Sequence, residues 1–170
     1  GDVTATNEGI IVQATGAGMV EILNTGNVSG TVGITAITAN STISVTTGGT
    51  TTGTAGAGVD LNGASGLVTA DTTGGLVTGA TDGITISTLV GGVDLTTAGV
   101  TANGGTAIVV GTTTGDVAID STAGSVLGST NGISVTTTTG DITLDTAAVR
   151  GVNGSAITAY TTTGNIDITT

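Results

Sequence analysis

Five side chains recur at a fixed interval and could do chemistry together. Asp116, Asp141 and Asn165 each follow a glycine at the same point of a repeated phrase, and Asp120 and Asp145 come four residues after the first two. If the repeat stacks on itself, like positions fall ~5 Å apart. Two bare carboxylates at that distance repel by ~0.8 kcal/mol even at the dielectric of water. Two resolutions are open. A calcium ion could offset the repulsion, because hard cations take clustered carboxylate oxygens; its ligands would be Asp116, Asp120, Asp141 and Asp145. Alternatively the aspartates are solvated corner residues that cap backbone N–H groups. The nine-residue glycine–aspartate calcium repeat is absent, which favours the corners. No metal site is assigned firmly.

Other chemistry has less to stand on. Paired carboxylates such as Asp120 and Asp145 superficially resemble the acid–base pairs of glycan-cleaving enzymes. The chain, however, has no His and a single Lys or Arg, Arg150, and no loop long enough to wall a cleft, so an enzyme is not expected. Arg150 is expected to pair with a nearby Asp rather than to form an anion site. Tyr160 falls at an outward position, as surface or as a contact between rods. Outward threonines also suggest ice binding, but the rows Thr85, Val109, Ser134, Thr158 and Ser87, Gly111, Thr136, Tyr160 are irregular. Three Asn-x-Ser/Thr sequons (Asn27, Asn40, Asn153) are a weak pattern in a chain this rich in hydroxyls.

The elements that must position these residues are repeats. In Gly132–Thr146, two alternating runs, Ile133/Val135 and Ile142/Leu144, flank a Thr137–Gly140 segment that reads as a turn. The phrase recurs upstream over Thr106–Ser121 and downstream over Ala156–Thr170. Its leading residues Ile84, Ile108, Ile133 and Ile157 lie 24, 25 and 24 apart. A third, weaker apolar spot follows at Val100, Val126 and Val149, ahead of Gly- and Asn-containing turns. Three apolar spots per coil of about 24 residues predict an all-β parallel solenoid, expected to be right-handed, with three short strands per coil. Roughly seven coils at the ~4.8 Å strand spacing give a rod on the order of 34 Å long.

Residues 1–170 read as one solenoid domain, with irregular coils over 27–82 and regular repeats over 83–170. Gly1–Asn7 matches Gly115–Ser121 in pattern, which starts the chain in the middle of a repeat. Gly48–Gly58 reads as a loop or bulged excursion, since nothing in it is large enough to pack. Leu67/Thr69 and Leu76/Thr78 read as strand starts, which makes that coil short: Leu67 to Ile84 is 17 residues.

Composition sets limits. The charged fraction is 8% and the hydrophobic fraction 37%, with 32 Gly and neither Cys, Pro, Phe nor Trp. Low charge with this much hydrophobicity argues against disorder, and a core without aromatics suits a thin bore rather than a broad interior. A formal charge of −11 carried against one cation excludes phosphate-backbone binding and disfavours anionic membranes. No apolar run is long enough to span a bilayer.

The repeats GDVAIDSTAG, GDITLDTAAV and GNIDITT resemble those of filamentous haemagglutinin-like adhesins and autotransporter passenger domains, most clearly over 83–170. The resemblance implies a secreted bacterial surface protein, β-helical and used for attachment or matrix. The chain departs from that pattern in being short, in lacking an N-terminal capping and secretion module, and in carrying no Lys. Solenoid ends normally need polar caps, and neither end carries a helix, a proline or a charge block. Gly1, Asp2 and Val3 are therefore expected to meet Ile166 and Ile168 of another copy, head to tail, as a non-closing contact that grows a filament. The function expected is a structural subunit of an extracellular fibre, with copies of itself as partner. The alternative is an adhesin stalk with glycan or receptor contacts, and no cofactor beyond calcium is expected.

Overall fold

Alternating aliphatic and hydroxyl residues leave the backbone one low-energy choice. β-branched side chains suit the pleat, and inward aliphatics need a second layer to cover them. The structure, a computed structural model, describes residues 1–170, which wind into seven coils of three parallel strands with no helix. The first coil holds β1 (Val3–Thr4), β2 (Ile10–Ala14) and β3 (Val20–Asn24). The last holds β19 (Val149–Gly151), β20 (Ile157–Thr163) and β21 (Ile166–Thr169), with the intervening strands numbered in chain order. Every third strand joins the same sheet, giving three seven-stranded parallel sheets. The first contains β1, the second β2 and the third β3.

The register is the one that the spacing of isoleucines demands. Ile84 pairs with Ile108, Ile108 with Ile133 and Ile133 with Ile157 on the second sheet. On the third sheet Val93, Val117, Ile142 and Ile166 form the matching column. The first sheet contributes Val77, Val100, Val126 and Val149. Through the sixth coil these columns meet in one core of 28 buried residues, none larger than Ile or Leu. Each buried aliphatic contributes about 1.5–3 kcal/mol, and a coil acquires that burial only from the coils above and below it.

Four details differ from the sequence reading. Gly1–Asn7 does not copy the third-sheet strand at Val117; Val3 pairs with Val28 on the first sheet. Only six residues separate Val3 from Ile10, too few to hold the rest of a third-sheet strand and another strand besides. Thr51–Gly53, inside the expected loop, is strand β7, in register with Val28 and Val77. Small residues pack here because an added side chain at Gly53 would strike the backbone of Ala57.

The coil at Leu67 is not short, because the inward residues are Val68 and Ala70 in β9 (Val68–Thr72) and Val77 in β10 (Val77–Gly79). Leu67 and Leu76 stand 46% and 45% exposed, one residue out of the column. A one-residue slip exchanges the two faces of a strand. Finally, Thr137–Thr139 is not a turn but the end of β17 (Ile133–Thr139). Thr137 faces inward, and its hydroxyl donates to the Thr139 carbonyl at 3.2 Å. The corner itself is Gly140, at φ +144°.

Candidate functional site

The stacked registers place each candidate carboxylate. Asp116, Asp141 and Asn165 stand one above another at the corner between the second and third sheets. Asp116 Oδ1 accepts the Asp141 amide at 2.9 Å, and Asp141 Oδ1 accepts the Asn165 amide at 2.7 Å. Asp116 and Asp141 therefore each cap the backbone of the coil that follows. The other corners use the same device. Asp2 and Asn27 accept the amides of Asn27 and Thr50 at 2.8 and 2.9 Å, and Asp82 and Asn131 accept those of Thr106 and Ser155 at 2.7 and 2.9 Å. Where the backbone bends away from the ladder, an Asx oxygen supplies the acceptor that the strand above lacks. Of these, Asn131-Gly132 was visible in the sequence as a Gly- and Asn-containing turn. Its role between coils was not.

Asp120 and Asp145 are direct cross-strand neighbours on the outward face of the third sheet. Asp120 turns its carboxylate to its own chain, accepting the Thr122 hydroxyl at 2.6 Å and the Thr122 amide at 2.9 Å. Those two bonds hold its carboxyl below the usual range. Asp71 does the same with Thr73, with the same result. Glu21, Asp94 and Asp167 share the adjoining outward column, so this sheet is strongly acidic. No three of the chain's acidic side chains converge in the manner of a metal ligand set.

One acidic residue missed by the sequence reading is Asp60, on the outward face of the second sheet. Burial raises its carboxyl above the ordinary value, and the charge of Glu8 raises it further. The signal was faint, because Glu8 and Asp60 lie two coils apart and out of register: the first-coil residue in the Asp60 column is Ile11, across Thr35.

Arg150 faces outward on the first sheet, at the end of the column Thr4, Ser29, Thr52, Thr78, Thr101, Leu127. The Asp partner expected for it is not in that column; its neighbour is Leu127. Tyr160 is 59% exposed, in register with Thr136. The mixed hydroxyl rows of the second sheet lie as read, with Thr85, Val109, Ser134 and Thr158 in register.

The end faces are the remaining candidates. Ile166 and Ile168 are 44% and 41% exposed, whereas the residues beneath them, Ile142 and Leu144, are fully buried. At the opposite end Val3, Ile10 and Val12 pack against the core from one side only. Both faces carry a row of unpaired strand edges.

Compared with family models, curated proteins and solved structures, the chain matches none. The β-solenoid fold agrees with β-helical repeat proteins as a class.

Proposed function

We propose that this chain is a structural, non-enzymatic segment of an extracellular fibre, its rods stacked end to end and serving attachment or matrix. The reading rests on one observation: both end faces present incompletely covered inward aliphatics on strands of the same direction. β19, β20 and β21 offer Val149, Ile157, Ile166 and Ile168 upward; β1 and β2 offer the half-buried Val3, Ile10 and Val12 downward, while Val20 and Ile22 of β3 are already covered within the chain. Parallel strands continue through such a contact without changing direction, and a heterologous contact that does not close makes a filament. The corner carboxylates support the reading from another side, since Asp116 and Asp141 are engaged in tying coil to coil. The extracellular setting comes from the resemblance of the repeats to surface adhesins.

The test is assembly of the purified chain. Sedimentation velocity and negative-stain microscopy across a concentration series should show rods lengthening in whole multiples of the ~34 Å unit. A chain that stays monomeric at millimolar concentration overturns the reading.

A further inference from the structure

We propose that Asn103 is a self-modification site of the folded rod: its side chain reacts with the Gly104 backbone, sheds ammonia and becomes aspartate or isoaspartate. This holds whether or not the rods form fibres.

Four asparagines in the chain precede a glycine: Asn62, Asn103, Asn131 and Asn153. A glycine has no Cβ to keep its amide nitrogen away from the preceding side chain. That nitrogen gives its proton to hydroxide and attacks the carboxamide Cγ. An N–Cγ bond forms, the Cγ–Nδ2 bond breaks, and Nδ2 takes a proton from water and leaves as ammonia. Water then opens the cyclic imide at one of its two carbonyls, giving aspartate from one and isoaspartate from the other. One water is consumed, one ammonia is released, and nothing is oxidised or reduced.

In sequence the four sites are alike. The fold separates them, because the attacking nitrogen and the carboxamide must both be free to approach. Asn103 and Gly104 lie exposed just after β13 (Val100–Ala102). The amides on either side are held, Asn103 N–H by the Gly79 carbonyl at 3.0 Å and Gly105 N–H by the Thr81 carbonyl at 2.9 Å, while the Gly104 N–H between them has no partner in the protein. The Asn103 carboxamide is unbonded as well.

The other three are restrained. Asn153 is exposed and the Gly154 N–H is free, but Asn153 Nδ2 donates to the Ser129 carbonyl at 2.8 Å. At Asn131 both reacting groups are tied: Oδ1 accepts the Ser155 amide at 2.9 Å, and the Gly132 N–H donates to the Ser155 carbonyl at 3.0 Å. Asn62 lies inside β8 (Val59–Ser65), where Gly63 is buried and in register with Thr38 on one side and Thr88 on the other. Each hydrogen bond that must break slows the reaction about tenfold. Asn103 therefore reacts first, Asn153 about tenfold more slowly and Asn131 about a hundredfold more slowly. Asn62 is slowest, since its strand must leave the ladder.

Isoaspartate adds one backbone atom between two amides that are both clamped to the preceding coil. One clamp must yield, and the converted chain should melt about 2–4 °C lower.

The test ages the purified chain in mildly alkaline buffer, folded and urea-unfolded in parallel. Fragmentation mass spectrometry follows each asparagine, and labelling by an isoaspartyl methyltransferase counts the isoaspartate. The folded chain should convert in the order Asn103, Asn153, Asn131, Asn62, and the unfolded chain should convert all four at similar rates. Asn103→Gln, at an exposed and unbonded side chain, should abolish the first conversion and leave the later ones in place. Folded chain that converts Asn131 or Asn62 as fast as Asn103, or that spares Asn103 while the unfolded chain converts it, overturns the proposal. So does the same ranking in both states, because sequence and not the fold would then set the order.

Discussion

The sixth and seventh coils contain nearly the same residues in different surroundings. Ile142 and Leu144 are sealed, and their counterparts Ile166 and Ile168 are more than two-fifths exposed. Nothing in the strands themselves accounts for the difference, since β18 (Ile142–Thr146) and β21 have the same alternation. What differs is the neighbour. In a solenoid a residue's contribution to stability is decided by whether another coil lies over it, and identical sequence is strong in the middle and weak at the edge.

The largest expected effect comes from the corner between the second and third sheets, where Gly66, Gly91, Gly115, Gly140 and Gly164 form a column at positive φ. Gly115 sits at φ +138°, and a Cβ there would collide with the Gly91 carbonyl. Gly115→Ala should cost about 3–5 kcal/mol, combining left-handed backbone strain with a clash against rigid backbone. In the single chain Gly18→Ala should cost less than about 0.5 kcal/mol, since the space is open. Chemical denaturation of both variants checks the pair. Equal costs would mean that the column is not what holds the corner.

Truncating aliphatics repeats the contrast on a smaller scale. Leu144→Ala should cost about 3 kcal/mol, from lost transfer and the cavity left behind. Ile168→Ala, one coil above it, should cost under about 1 kcal/mol in dilute monomer. Under assembling conditions the second figure should rise toward the first, because a second copy would then supply the missing cover.

The fold was legible because apolar residues at intervals of 24 and 25 have no other common explanation. Ile84, Ile108, Ile133 and Ile157 are vertical neighbours, as their spacing required. The reading slipped where two adjacent residues were both apolar. At Leu67-Val68 and Leu76-Val77 the larger residue attracted the inward assignment, although Val68 continues the column of Ile43 and Val93, and Val77 that of Thr51 and Val100. The steps Val59 to Ile84 and Val68 to Val93, each 25 residues, give the correct register from the same sequence. Thr137–Thr139 was misread for a different reason. Threonine serves turns and strands alike, and only the inward hydroxyl bonding back to the corner shows which. At the candidate site, Asp116, Asp141 and Asn165 were correctly grouped by position. Which atoms they bond depends on the offset between coils, and no one-dimensional pattern encodes that.

Interior position also makes an error of chemistry expensive. Thr51 is fully buried in the column that Val28 and Val77 occupy, and its hydroxyl has no hydrogen-bond partner. An unmet buried hydroxyl costs about 1–3 kcal/mol. Thr51→Val keeps the branched shape, restores the column and should raise stability by about 1 kcal/mol. The same substitution at Thr4, exposed on the first coil, should change stability by less than about 0.5 kcal/mol. Thermal melts of the two variants compare a buried and an exposed threonine of the same sheet.

The smallest effect connects the two regions, because Glu8 belongs to the first coil and Asp60 to the third. Burial, with Glu8 adding to it, raises the Asp60 carboxyl above its ordinary value. The folded chain therefore holds this proton more tightly than the unfolded chain does. Its contribution to stability is fully present below the unfolded value, about 3.9, and is lost as pH rises through the raised one. At pH 7 the ionised group is a liability, reduced but not abolished by its partial exposure to solvent. Asp60→Asn should raise the melting temperature at pH 7 by about 1–2 °C and leave it unchanged at pH 3. Glu8→Gln should recover the smaller, electrostatic part of that gain while leaving the burial part in place. A gain at pH 3 equal to that at pH 7 would show that the asparagine acts through packing, and that the charge of the end coil does not reach the interior.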